Sequence, residues 1–262
     1  MADADAVRAA GLQDRLPADP SSGAAAPAEP DQAMTLVDHL SELRNRIVRA
    51  ILAVVAGSAI GFYLAPTIRA ILVTPLPIEH RVLQVLGPGD AFAVTLRIAV
   101  AFGIILAMPV LLYQFWAFIA PGLTTSERKA LRPWIPLALF FFALGVTVAW
   151  IILPFAIGFL LAFTDATLVA NLTAPAYFDF VTTMFLAFGL LMEFPIVLYG
   201  LARVGVLSSA RLAASRRIAL LGIAIFAAIA TPGGDIISPL VLGGTMYILF
   251  ELTVFAIRRG GR

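Results

Sequence analysis

Ile98-Ala99-Val100-Ala101-Phe102-Gly103-Ile104-Ile105-Leu106-Ala107-Met108-Pro109-Val110 carries no charge and no alternation of polar with apolar residues. It lies inside a longer apolar segment, Ala91 to Ile119. A helix needs ~20 apolar residues to cross the hydrocarbon core of a bilayer. No water is available there, so each backbone amide must find its partner within its own segment, and a helix does this. A membrane β-barrel requires short segments of strict alternation, which this run lacks. The rest of the chain agrees: 61% of its 262 residues are hydrophobic and 13% are charged. The expected fold is an all-α membrane protein.

Outward from that segment, five others read as helices: Ile47 to Ala65, stopped by Pro66; Trp134 to Leu153; Phe178 to Ala202; Ile218 to Ala230; and Pro239 to Ile257. In chain order the second, Ala91 to Ile119, is interrupted by Pro109. At 1.5 Å rise per residue the fifth, Ile218 to Ala230, reaches only ~20 Å, below the ~30 Å core. The reading is six transmembrane helices with short fifth and sixth helices that thin the bilayer locally or shelter beside longer neighbours.

Lys and Arg set the orientation. Thirteen of the 18 flank the first helix's start, the 2–3 and 4–5 loops and the C-terminal end, against Arg69, Arg81 and Arg97 on the opposite side. N and C termini are therefore expected in the cytoplasm. Residues 1–33 read as a disordered cytoplasmic tail, rich in Ala, Asp and Pro and without the basic start and apolar core of a signal peptide. The membrane domain covers 34–259, and 260–262 form a C-terminal tail. Residues 66–90 and 154–177 are too apolar for free loops and are expected to cap the outer face. Thr231 to Ser238 reads as a tight turn.

The composition excludes several classes. With no cysteine there is no disulfide, thiolate nucleophile or cysteine metal site. His39 and His80 are the only histidines and form no zinc pattern, and no nucleophile elbow or phosphate loop occurs. The chain is read as a non-enzyme without cofactor or metal. A formal charge of +2 does not suggest a nucleic-acid binder.

Few polar residues stand out. His39-Leu40-Ser41-Glu42-Leu43-Arg44-Asn45-Arg46 precedes the first crossing, with Leu36, Leu40, Leu43 and Ile47 on one helical stripe. Glu42 and Arg46, one turn apart, can pair with each other. The second segment ends in Leu112-Tyr113-Gln114-Phe115-Trp116-Ala117-Phe118-Ile119-Ala120-Pro121-Gly122-Leu123, and Thr124 to Glu127 can form a capping box for the next helix. Glu193 lies within the fourth segment, where a charged side chain costs ~2.5–3.5 kcal/mol on insertion scales and faces the bundle or a wet cavity. Glu251 lies close to Arg258 and can snorkel to the interface.

The octet at 39–46, the stretch Tyr113 to Arg128, Met192-Glu193-Phe194-Pro195 and the turn Thr231-Pro232-Gly233-Gly234-Asp235 resemble, in order and spacing, the signature regions of the TatC family. The turn differs at Gly233, where many members have a second proline. The resemblance spans Met34 to Arg259. It implies a core receptor of the twin-arginine translocase, binding twin-arginine signal peptides of folded cargo in a bacterial or archaeal plasma (inner) membrane. It further implies TatA and TatB-like single-span subunits as partners, a homo-oligomer in the assembled complex, and energy drawn from the membrane potential and proton gradient. By the same resemblance Glu42 and Glu127 contact the signal's arginines, with Arg44, Arg46 and Phe118 in the same site. Glu193 belongs to a polar patch for partner helices, and Pro75 and Asp235 to the outer cap. A guanidinium fork matches a carboxylate bidentately, which suits this assignment. The competing class is a proton-coupled secondary transporter or channel using Arg97, Glu193 and Glu251 as a relay. No internal repeat of the kind common in such transporters is present.

Overall fold

A computed structural model describes residues 36–125, 128–129, 134–165, 167–203, 205, 207, 209–231 and 235–259. The expected tails at 1–33 and 260–262 lie outside them. The chain divides into two units, Met1–His39 and Leu40–Arg262. Of the first, only the opening turn of a helix is described.

Eight α-helices are described: α1 (Leu36–Val73), α2 (Asp90–Ile119), α3 (Trp134–Leu161), α4 (Ala174–Leu191), α5 (Phe194–Arg203), α6 (Ser209–Ala214), α7 (Arg216–Ala230) and α8 (Ile237–Arg259). Five stretches are long and apolar enough to cross a membrane: Val37–Val73, Asp90–Gly122, Trp134–Leu161, Ala174–Ala202 and Ile237–Arg259. The chain is a multi-pass, helical membrane protein.

Prolines behave differently from expectation. Pro66 does not stop α1, which continues to Val73, and Pro109 does not interrupt α2. Pro154 likewise lies within α3, which runs on to Leu161. A proline removes one N–H and crowds the carbonyl four residues back, yet the remaining helical bonds have no competitor in hydrocarbon. Pro195 has the opposite effect. The fourth segment is broken between Leu191 and Phe194, with Met192 and Glu193 in the gap and Pro195 in the first turn of the new helix.

Of the last two helices, the first is short as expected and only the second departs from the reading. α7 has 15 residues, ~22 Å long, and falls short of a crossing. α8 has 23 residues, ~35 Å, and is not short.

Polar side chains inside the helices mostly satisfy themselves locally. The hydroxyls of Thr95, Thr147, Thr182, Thr231, Thr245 and Thr253 each donate to the carbonyl four residues earlier, at 2.6–2.9 Å. Each gives a hydroxyl donor a partner where neither lipid nor the apolar core offers one, at little cost to the helix.

The core lies where α4 packs against α2 and α3, and α8 against α7, α5 and α3. Phe178, Met184, Phe188, Leu153, Leu242 and Phe250 are fully buried. Glycines set the spacing. Gly145 of α3 lies so close to the Phe188 carbonyl of α4 that a Cβ could not fit, and a Cβ on Gly189 would meet the Phe142 ring at 2.6 Å. Small residues let membrane helices approach closely.

On the side where α1 ends, two connections join. Gln84 donates to the Leu172 carbonyl at 2.9 Å and accepts from Ala174 N–H at 2.8 Å, forming a parallel bridge with Thr173. Leu76 is buried, Leu83 and Leu172 pack on the core, and the Tyr177 hydroxyl donates to the Leu72 carbonyl at 2.6 Å. The connections are packed, as their composition suggests, but the second begins after Leu161 rather than at 154.

Asp235, 4% exposed, accepts the Ser238 N–H at 2.6 Å with Oδ1 at the start of α8. Helix starts leave N–H groups unpaired, so replacing such an acceptor costs about 1 kcal/mol. Asp235→Ala is expected to lower thermal stability by about that much in a detergent melt, while Asp235→Asn retains most of it. Equal melting of both variants with the parent would exclude this role.

Candidate functional site

The break between α4 and α5 creates the most unusual chemistry in the bundle. Pro195 has no N–H to continue the α4 ladder, and the Glu193 carbonyl starts a new one, accepting from Ile196 and Val197 at 3.1 and 3.2 Å. The break sets Glu193 on the wall of a groove of about 740 Å³. Met108, Leu112, Phe115, Trp116 and Ile119 of α2 form one wall, Trp134 and Ala138 of α3 another, and Leu190, Val197 and Leu201 the third. Trp134 is fixed there by stacking on Tyr199, with ring centroids 3.8 Å apart.

Among the described residues lining this groove, Glu193 is the one ionisable group. Its Oε1 is buried without a hydrogen-bond partner among the described residues. The Oε1 of Gln114, on α2, is in the same condition. Buried acceptors without donors cost free energy, and each is a place where a ligand or partner donor gains more than its usual worth. The groove can therefore hold an apolar segment that carries a polar hydrogen.

The other sequence-selected residues are distributed as follows. On α1, Glu42 and Arg46 pair within the helix: Arg46 Nε donates to Glu42 Oε1 at 2.9 Å and Nη2 reaches the same oxygen. Arg44, next to them, is exposed. Phe118 is half-buried on the last turn of α2 and is not part of the groove lining. Glu127 and the capping box that depends on it lie outside the described residues. The corner after α2 is held by Arg128, whose Nε and Nη2 donate to the Ala120 carbonyl at 3.2 and 2.8 Å. Pro75 is half-buried in the turn after α1, where Leu76 N–H donates to the Val73 carbonyl.

Two ion pairs were not legible in the sequence. Arg97 pairs with Asp179 across α2 and α4 at 2.5 Å. Glu251 pairs with Arg216 at 2.7 Å and accepts from the Tyr247 hydroxyl at 3.3 Å. Its partner comes from α7 and not from the neighbouring Arg258. Hydropathy revealed each charge inside an apolar run, but the partner lay 82 or 35 residues away, outside any local pattern.

Comparison with known proteins gives one answer throughout. Residues 38–244 match the family model described as Sec-independent protein translocase protein (TatC). The TatC protein of Carboxydothermus hydrogenoformans is 36% identical over 226 residues, covering 86% of this chain and 93% of that one. The Aquifex aeolicus TatC is 35% identical over 227 residues, covering 85% and 94%. A crystal structure described as the twin-arginine translocase receptor TatC in DDM superposes with a TM-score of 0.74 at 35% identity, over 84% of this chain and 99% of that one. Sequence and fold thus agree over most of the chain, which belongs to the TatC family of Sec-independent protein translocase components, membrane transport proteins and not enzymes.

Proposed function

We propose that this protein is the signal-peptide receptor and assembly core of a twin-arginine translocase in a bacterial or archaeal plasma membrane. Both termini are cytoplasmic and α7 counts as a sixth, incomplete crossing. The observation that carries the reading is the apolar groove with the unpartnered Glu193 oxygen at its wall. It suits a guest that is hydrophobic along most of its length.

The reading assigns three tasks. Glu42 and Glu127 bind the paired arginines of a signal, with Arg44, Arg46 and Phe118 beside them. Arg46 holds the Glu42 carboxylate in place, so the acceptor is oriented before a guanidinium arrives. The bundle, with this groove, receives the signal's apolar stretch. A face including Glu193 recruits single-span TatA and TatB-like helices, and several copies assemble in the working complex. Pro75 and Asp235 shape the outer connections. The transporter alternative is weakened because Arg97 and Glu251 each belong to separate ion pairs, so among the described residues they form no continuous relay with Glu193.

The test is site-specific photocrosslinking of a twin-arginine signal peptide to membranes containing the protein, compared with Glu42→Ala and Glu127→Ala. Loss of a charge-assisted bidentate contact is worth roughly 1.5–3 kcal/mol, so crosslinks are expected to fall by about tenfold or more in each variant. A native protein giving no signal-dependent crosslink, where a known receptor does, would sink the receptor reading.

A further inference from the structure

The two connections that pack together beyond α1 and α3 bury one face and expose another. Leu76, Leu83 and Leu172 turn onto the core. The opposite face presents Ile78, Val82, Leu86, Leu168 and Val169, with exposures of 79%, 87%, 75%, 64% and 81%. Large aliphatic side chains this exposed, on two segments stitched by the Gln84–Thr173 bridge, form a surface that water does not favour.

Glu79 is exposed in the first connection, but three other ionic side chains at these connections are turned onto local backbone. Arg81 donates to the carbonyls of Leu76 and Thr74 at 3.0 and 2.9 Å. Asp90 Oδ2 accepts the N–H groups of Leu86 and Gly87 at 3.1 and 2.9 Å. Asp165 Oδ1 accepts the Thr167 hydroxyl and the N–H groups of Thr167 and Leu168 at 2.6–2.9 Å. The Thr167 hydroxyl bond, with those two backbone bonds, holds its carboxyl below the ordinary range. Three ionic groups that could have wetted this surface are engaged in shaping the loops instead.

The depth of the surface follows from helix lengths. Ile47 to Val73 spans ~40 Å, and the 28 residues of α3 span ~42 Å. A bilayer with its headgroups is ~40–45 Å thick. Helices of that length end at the headgroups, so the connections start there and not far out in water. Their apolar face also continues the exposed belt of the adjoining helix ends, where Ile71 and Phe92 are 51% and 63% exposed.

We propose that the face formed by Ile78, Val82, Leu86, Leu168 and Val169 is a lipid-binding surface that enters the headgroup–acyl boundary of the leaflet next to it. The acyl chains it meets require no fixed donor or acceptor, which matches a face made of aliphatic groups. Its effect is to anchor the joined connections in the membrane, so that the ends of α1, α2, α3 and α4 are held at one depth. The inference rests on the chain spanning a membrane and not on signal binding.

The natural chain has no cysteine, so single labelled positions are unambiguous. Val82→Cys and Val169→Cys would each carry a nitroxide in full-length protein reconstituted into phosphatidylethanolamine–phosphatidylglycerol vesicles. Phe140→Cys, 60% exposed within α3, serves as the lipid reference, and Glu79→Cys, exposed in the same connection, as the water reference. Collision rates with oxygen, which partitions into lipid, and with a polar nickel chelate are compared. The Val82 and Val169 labels are expected to show oxygen-to-nickel ratios several-fold above the Glu79 label and approaching the Phe140 label. Ratios equal to the Glu79 label would mean the face looks into water and would overturn the proposal. Labels immobilised and shielded from both reagents would mean a protein covers the face, which also overturns it. Signal crosslinking is not part of this readout, so its failure leaves the receptor reading untouched.

Discussion

Gly145→Leu is expected to leave no monodisperse folded protein in detergent, as seen by size-exclusion chromatography. The reason is the α3–α4 contact, where even a Cβ at 145 collides with the Phe188 carbonyl and lies 2.8 Å from Met192 Cγ. The methionine can move, but the carbonyl belongs to helix backbone and cannot. Phe188 and Met192 are themselves fully buried, so neither has free volume behind it. Gly145→Ala, with one added carbon, is expected to cost about 1–3 kcal/mol, the usual range for overpacking. Gly158→Ala is the control on the same helix. Nothing lies within 4 Å of its would-be Cβ, and alanine is favoured over glycine in a helix by about 1 kcal/mol. Its melting point should be unchanged or higher. Equal destabilisation by both alanine variants would show that the close approach at Gly145 is not what limits stability.

Gly61→Leu is expected to separate the proposed signal binding from folding. α1 is the least buried of the five long helices, and it approaches α2 through Gly57 and Gly61. A Cβ at Gly57 would sit 2.7 Å from the Gly103 carbonyl oxygen, and one at Gly61 would sit 2.6 Å from that of Ala99. The pairing of 57 with 103 and of 61 with 99 is that of two antiparallel helices crossing at their small residues. A leucine at 61 pushes α1 away, while the packing of α4 with α2 and α3 is untouched. Most thermal stability should remain. Glu42, Arg44 and Arg46 ride on α1, so a displacement costing about 1–3 kcal/mol should lower signal crosslinking at Glu42 by roughly 10- to 100-fold. Parent-level crosslinking in a folded Gly61→Leu protein would show that the site does not depend on the α1–α2 crossing.

These two glycines illustrate why part of the molecule could not be read in advance. A glycine in an apolar run is ordinary in membrane helices, and nothing local separates Gly145, in hard contact, from Gly158, in open space. Likewise nothing local distinguishes Pro66, Pro109, Pro154 and Pro195, each beside or within an apolar run. The first three are absorbed by continuous helices, whereas the fourth begins α5 after a break.

By itself the sequence determined that the chain crosses a membrane repeatedly as helices, where those helices lie to within about three turns at their ends, and which polar residues are exceptional. The physical reason is locality: a helix in hydrocarbon satisfies its backbone internally, so a run of apolar residues is sufficient to specify it. The Glu42–Arg46 pair was accessible for the same reason, being one turn apart. Only the tertiary structure decided that Asp179 answers Arg97, that Arg216 answers Glu251, and that Glu193 shares a groove with the end of α2. Those outcomes depend on which face each helix turns to its neighbours. Among helices surrounded by lipid as apolar as they are, that choice is made by close packing and long-range polar pairing, neither of which leaves a periodic mark in the chain.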